Sequence, residues 1–260
     1  MRFANLNPIG LHYRITGNPK GPAVLFLNPL GTDLRIWDRV VPGFEERFRV
    51  VRMDNRGHGL SDAPEGPYTI SEMADDVARL LEYLEIASVT VVGLSIGGMI
   101  AQALAASNPE RVYRLVLCDT GHVIGPPELW EQRTQTVQAE GLEAVADTSL
   151  ERWLPEGYRQ QQEDELPMWR NLLLRTPVQG YLGACAALRD ADLTESTRNL
   201  KIPTLVLCGS EDAATPPELG KQLADLIEGA EFDLIEGAAH LPCIDRSELF
   251  GHRIRQFLAQ

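Results

Sequence analysis

Val91-Val92-Gly93-Leu94-Ser95-Ile96-Gly97-Gly98 decides how this chain is read, because a hydrophobic β-type run ends there abruptly in a serine with a glycine two residues to either side. A strand-to-helix turn sharp enough to project a hydroxyl needs neighbours with almost no side chain, and the pattern G-x-S-x-G supplies them. The flanks agree with this. Upstream, Val89-Thr90-Val91-Val92 is β-branched throughout; downstream, Met99-Ile100-Ala101-Gln102-Ala103-Leu104-Ala105-Ala106 is mostly helix-favouring. Strand, elbow and helix follow in the order that exposes a serine as a nucleophile.

Outward from the elbow, short hydrophobic runs alternate with helical patterns. The runs are Val24–Leu27, Arg49–Met53, Val89–Val92, Leu115–Cys118, Thr204–Cys208 and Phe232–Ile235. Such alternation predicts an α/β fold with a mostly parallel central sheet flanked by helices. Leu11–Ile15 belongs to an antiparallel edge hairpin. Between the second and third runs, Thr69 and Glu72 make a capping-box signature, and Ile70, Met73, Ala74, Val77, Leu80, Leu81 and Leu84 fall on one helical face. The alternation lapses from about Val123 to Thr197, where helical segments such as Leu129-Trp130-Glu131-Gln132-Arg133 and Leu150-Glu151-Arg152-Trp153 replace strands. Residues 123–197 therefore read as a helical cap inserted into a core made of 1–122 and 198–260.

A chain of 260 residues can bury about three quarters of its unfolded surface, so the core needs no metal or disulfide staples. A formal charge of −13 argues against a nucleic-acid partner, which would require clustered Lys and Arg. No apolar leader segment and no apolar run long enough to span a bilayer stand in the sequence, so a cytoplasmic location and no membrane partner are expected. Cys118, Cys185, Cys208 and Cys243 lack CxxC spacing and read as buried thiols.

A serine hydroxyl is a poor nucleophile and needs a base and an orienting acid. In the chain order Ser, Asp, His, Gly209-Ser210-Glu211-Asp212 follows one predicted strand and Gly237-Ala238-Ala239-His240 follows the next. The predicted catalytic set is Ser95, His240 as base and Asp212 as the group that holds its tautomer, with Glu211 and Asp119 as rivals for the acid. Of the other histidines, His58 reads as a structural hydrogen-bonding residue in a post-strand loop, and His12, His122 and His252 offer no partner pattern. Asn28-Pro29-Leu30-Gly31 follows the Val24 strand, and Pro29 has no N–H. The expected oxyanion donors are therefore the backbone amides of Leu30 and Ile96.

With these residues in place the sequence resembles the α/β-hydrolase superfamily. More narrowly, Asn28–Asp33, Arg56–Asp62, Gly66–Ile70, Gly93–Gly98, Cys185–Leu193 and Ala239–Cys243 resemble the corresponding segments of 3-oxoadipate enol-lactonases, over essentially the whole chain including the cap. One departure is Pro29, where that family has serine. The resemblance implies hydrolysis of 3-oxoadipate enol-lactone in the β-ketoadipate pathway, with no metal or organic cofactor. The partner implied is a small lactone bearing a carboxylate. Such a group in a partly dry pocket needs a cation or several donors, for which Arg133 and Arg189 of the cap are candidates, with Trp130 and Trp153 as pocket walls. A general carboxylesterase and a non-catalytic small-molecule receptor on the same fold are the alternative readings, since triad motifs alone do not set a substrate.

Overall fold

The computed structural model describes residues 2–260. Eight strands form one sheet: β1 (Arg2–Asn5), β2 (Gly10–Gly17), β3 (Ala23–Leu27), β4 (Arg49–Met53), β5 (Val89–Leu94), β6 (Val112–Cys118), β7 (Thr204–Gly209) and β8 (Glu231–Ile235). Their spatial order is β1-β2-β4-β3-β5-β6-β7-β8. β1 and β2 pair antiparallel, as do β2 and β4, and every later pairing is parallel. The predicted runs fall on β3 to β8, and the edge hairpin is β1 with β2. The central strands β3 and β5 are buried on both faces, which is why their sequences read as continuous apolar runs and not as alternating ones.

The helices are α1 (Ile70–Tyr83), α2 (Ile96–Ser107), α3 (Pro127–Glu140), α4 (Glu143–Trp153), α5 (Glu156–Gln161), α6 (Leu166–Leu174), α7 (Val178–Asp190), α8 (Thr194–Arg198), α9 (Pro217–Leu226), α10 (Pro242–Asp245) and α11 (Ser247–Leu258). Thr69 caps α1 as a full capping box with Glu72, and the predicted apolar face from Ile70 to Leu84 is buried. Six helices, α3 to α8, fill the chain between β6 and β7.

Strand order fixes where a site can form. From β3 the chain moves outward to β4 and then returns across β3 to β5, so the sheet has a switch point between β3 and β5. The loops leaving the carboxyl ends of these two strands diverge there and open a crevice. One of those loops is Asn28–Gly31 and the other is the Ser95 elbow. Among the described residues no helix is long and apolar enough to cross a membrane.

Candidate active site

Ser95 sits between β5 and α2 at φ 57° and ψ −121°, a left-handed backbone that a non-glycine residue adopts only when its surroundings enforce it. Its N–H donates to the Cys118 carbonyl at 3.0 Å, and its carbonyl accepts from the Thr120 hydroxyl at 2.7 Å. The flanking glycines are required by contact. A Cβ on Gly93 would lie 2.3 Å from the Gly97 carbonyl oxygen, and one on Gly97 would lie 2.4 Å from that of Leu27. The second contact brings α2 against the end of β3, so the elbow and the Asn28 loop share one crevice.

The Asn28 loop is braced from below. Asn28 donates to the Met53 carbonyl at 2.7 Å and accepts from the Trp37 indole at 2.7 Å, while Asn55 donates to the Asn28 carbonyl at 3.0 Å. Thr32 closes the turn by donating to the Pro29 carbonyl at 2.9 Å. These bonds leave the Leu30 backbone N–H without an acceptor among the described residues, and Ile96 opens α2, where helical geometry also provides no acceptor. Two amides of this kind beside a serine suit a developing oxyanion.

His240 follows β8 and is buried, with Nδ1 2.8 Å from Asp212 Oδ2. Asp212 also accepts from the backbone N–H groups of Ala214 and Thr215 and, at 2.6 Å, from the Thr215 hydroxyl. Burial works against its charge, but the attraction of His240 and these hydrogen bonds hold Asp212 below the usual carboxylate range. Thr215 was not anticipated, although the spacing Asp-x-x-Thr in a post-strand turn is the signal of a side chain closing its own loop. Ser95 and His240 line one cavity of about 150 Å³. No hydrogen bond joins the serine hydroxyl to the imidazole among the described residues; such bonds commonly tighten only around substrate.

Helices α3, α4 and α7 roof that cavity with Leu129, Trp130, Arg133, Ser149, Arg152, Trp153 and Tyr181. Arg133 is clamped in place: Nε donates to the Tyr181 hydroxyl at 2.6 Å and a terminal nitrogen to the Ser149 hydroxyl at 2.7 Å. Neither Arg133 nor Arg152 has a carboxylate partner among the described residues. The Leu241 N–H donates to the Trp153 carbonyl at 3.0 Å, which ties α4 to the His240 loop. Arg189 lies elsewhere. It is outside the cavity wall, and its guanidinium pairs with its neighbour Asp190 at 2.7 Å on the exposed end of α7. Arg152, Ser149 and Tyr181 were missed because only the packing of the three helices brings them to Arg133.

His58 Nδ1–H donates to the Arg56 carbonyl at 3.0 Å, and complete burial pushes its pKa down, favouring the neutral ring. His12, which showed no sequence partner, lies 2.7 Å from Asp54. Neither ring borders the Ser95 cavity. All four cysteines are free and buried. Among the described residues no group of three or more His, Cys, Asp or Glu is placed to hold a metal ion.

Residues 22–247 match the family described as alpha/beta hydrolase fold. The 3-oxoadipate enol-lactonase 2 of Acinetobacter baylyi is 32% identical over 246 residues, covering 95% of this chain and 92% of that protein. The crystal structure of the enol-lactonase from Burkholderia xenovorans LB400 superposes with a TM-score of 0.97 at 39% identity, covering 100% of both chains. A malate-bound thermophilic esterase from Thermogutta terrifontis superposes with a TM-score of 0.93 at 30% identity, covering 100% of this chain and 98% of that one.

Proposed function

The chain belongs to the alpha/beta hydrolase fold family, and from that premise we propose that it opens 3-oxoadipate enol-lactone to 3-oxoadipate through Ser95, His240 and Asp212. His240 takes the Ser95 proton as Oγ attacks the lactone carbonyl, and the Leu30 and Ile96 amides hold the oxyanion. Collapse expels the ring oxygen as an enol, which receives its proton from His240 and relaxes to the ketone. Water deprotonated by His240 then releases the second carboxylate from Ser95. Asp212 orients the imidazole and balances its charge throughout.

The observation that carries the substrate is Arg133, a clamped guanidinium without a carboxylate partner in the cavity that also holds Ser95 and His240. A guanidinium held in this way pairs with a carboxylate through charge-assisted hydrogen bonds. Arg152 adds a second positive charge on the same wall, and Trp130 and Trp153 supply apolar surface for the ring. The two relatives named enol-lactonases support the same substrate. Four free, buried thiols fit a reducing compartment, in keeping with a cytoplasmic step of the β-ketoadipate route.

The direct test incubates the purified protein with the enol-lactone and with an uncharged aryl ester. We expect faster opening of the lactone, with 3-oxoadipate as product, and a loss of about 10⁴-fold or more in the folded Ser95→Ala variant. Near-wild-type turnover by that variant contradicts the mechanism, and preference for the aryl ester would favour a general esterase.

A further inference from the structure

Thr215 is buried in the turn that leaves β7 and forms part of the wall of the Ser95 cavity. Its hydroxyl donates to Asp212 Oδ2 at 2.6 Å, the same oxygen that lies 2.8 Å from His240 Nδ1, and its Oγ stands 3.3 Å from that nitrogen. The other carboxylate oxygen, Oδ1, accepts the Ala214 and Thr215 backbone N–H groups at 2.7 and 3.1 Å. Backbone amides therefore fix one oxygen of Asp212, and one side-chain hydroxyl shares the other with the imidazole. In a triangle with these three sides, a hydrogen on the line from Oγ to Oδ2 lies nearer Nδ1 than Oγ does. The hydroxyl thus presents its positive end to the ring. The titratable groups facing the pair are Asp119 and Cys208 behind Asp212, Asp245 beside His240, and Arg133 and Arg152 across the cavity. Among the described residues none of these donates to the Asp212 carboxylate, so the hydroxyl and the imidazole are its side-chain donors.

We propose that Thr215 is a positioning residue of the triad, whose hydroxyl keeps the ring hydrogen of His240 on Nδ1 and moderates the pull of Asp212 on the imidazolium. Two arrangements of hydrogens are open to the triangle. With the ring hydrogen on Nδ1, it and the hydroxyl both point at Oδ2, and Nε2 keeps the lone pair that must take the Ser95 proton. With the ring hydrogen on Nε2, the Nδ1 lone pair faces the carboxylate at 2.8 Å. Relief would then require the hydroxyl to leave a charged acceptor at 2.6 Å for a neutral one at 3.3 Å. Hydrogen bonds to an ionised acceptor are the stronger ones, so the hydroxyl stays on Oδ2 and the ring hydrogen on Nδ1. An oxygen shared by two donors also attracts the imidazolium less than one held by the ring alone. That favours return of the proton from the ring to the leaving enol oxygen.

The proposal rests on the triad reading, and Thr215→Val tests it, because valine keeps the branched shape and loses only the hydroxyl. For lactone opening by this variant we expect kcat to fall about tenfold with KM within about twofold of wild type. The acid limb of its kcat/KM profile should move up by about 0.5 pH unit or more, since Oδ2 then holds the protonated ring more tightly. Thr215→Ser restores the hydroxyl and should return kcat to within about twofold of wild type and the limb to its wild-type position. Thr215→Ala, a second variant without the hydroxyl and with a smaller side chain, should move the limb in the same direction as Thr215→Val. A limb that stays in place or moves down in the hydroxyl-free variants overturns the proposal, as does a loss in Thr215→Ser equal to that in Thr215→Val. A readout that needs no turnover is the His240 Nδ1–H proton resonance, which should move downfield in Thr215→Val; an unmoved resonance also overturns the proposal. Full activity in Asp212→Asn would sink the triad reading itself, whereas an unmoved limb in a protein that Asp212→Asn inactivates would sink only the role of Thr215.

Discussion

The strand-end loops and the cap helices contribute to one cavity by different means. Ser95, Asp212, His240 and Leu30 each sit within a few residues of a strand's carboxyl end, so sheet order alone brings them together. Arg133, Ser149 and Tyr181 come from three separate helices and meet only through side-chain packing. On the proposed function, the loops carry the acyl transfer and the roof selects among substrates. Changes in the two regions should differ in kind: in the loops they stop the acyl transfer or alter how the fold responds to pH, and in the roof they change which molecule is accepted.

The largest effect expected in the roof comes from Arg133→Met, which keeps much of the side-chain volume and removes the charge. Loss of a charge-assisted bond of about 1.5–3 kcal/mol should cost roughly 10–100-fold in kcat/KM for the lactone. Most of that loss should lie in KM, with little change for an uncharged aryl ester. A drop shared by both substrates would mean that the roof also positions the triad, erasing the distinction.

On the loop side, Asp245 accepts the Ala239 N–H at 3.1 Å beside His240, and burial pushes its carboxyl up to about 6. A carboxyl raised in the folded state binds a proton more readily than in the unfolded chain, so its ionisation destabilises the fold above about pH 6. Acidification from pH 6 toward pH 4 removes that cost. Asp245→Asn should accordingly gain on the order of 1–3 kcal/mol in urea unfolding at pH 8, with the gain vanishing near pH 4. An equal gain at both pH values would show that ionisation is not its cause.

The smallest effect expected is at Arg189. Its guanidinium is satisfied by Asp190 at the exposed end of α7, so Arg189→Ala should leave lactone kcat/KM within about twofold of wild type. A larger loss, measured in the same assay, would require the roof to rearrange around substrate.

Legibility in the sequence followed the same division. The elbow, the alternation of strands and helices and the order Ser, Asp, His are local patterns, and the strands they predicted are those of the sheet. The capping box at Thr69 formed as its spacing required. Arg133 and Arg189 were indistinguishable as cap arginines, because nothing local separates a guanidinium held by Tyr181, 48 residues away, from one paired with its neighbour. His12 with Asp54, 42 residues apart, escaped notice for the same reason. Asp119 was legible only as a post-strand acid; its burial and its bond to the Gly209 N–H are products of β6 lying next to β7.

The proposed division of labour has the loops cleave the ester and a clamped arginine in the roof recognise the carboxylate. Its most direct test compares kcat/KM for the enol-lactone free acid with that for its carboxylate methyl ester, which keeps the reacting ring and loses only the charge. Wild type should prefer the acid by at least about tenfold, and Arg133→Met should show a ratio near one. Equal turnover of the two compounds by the wild-type protein would contradict it.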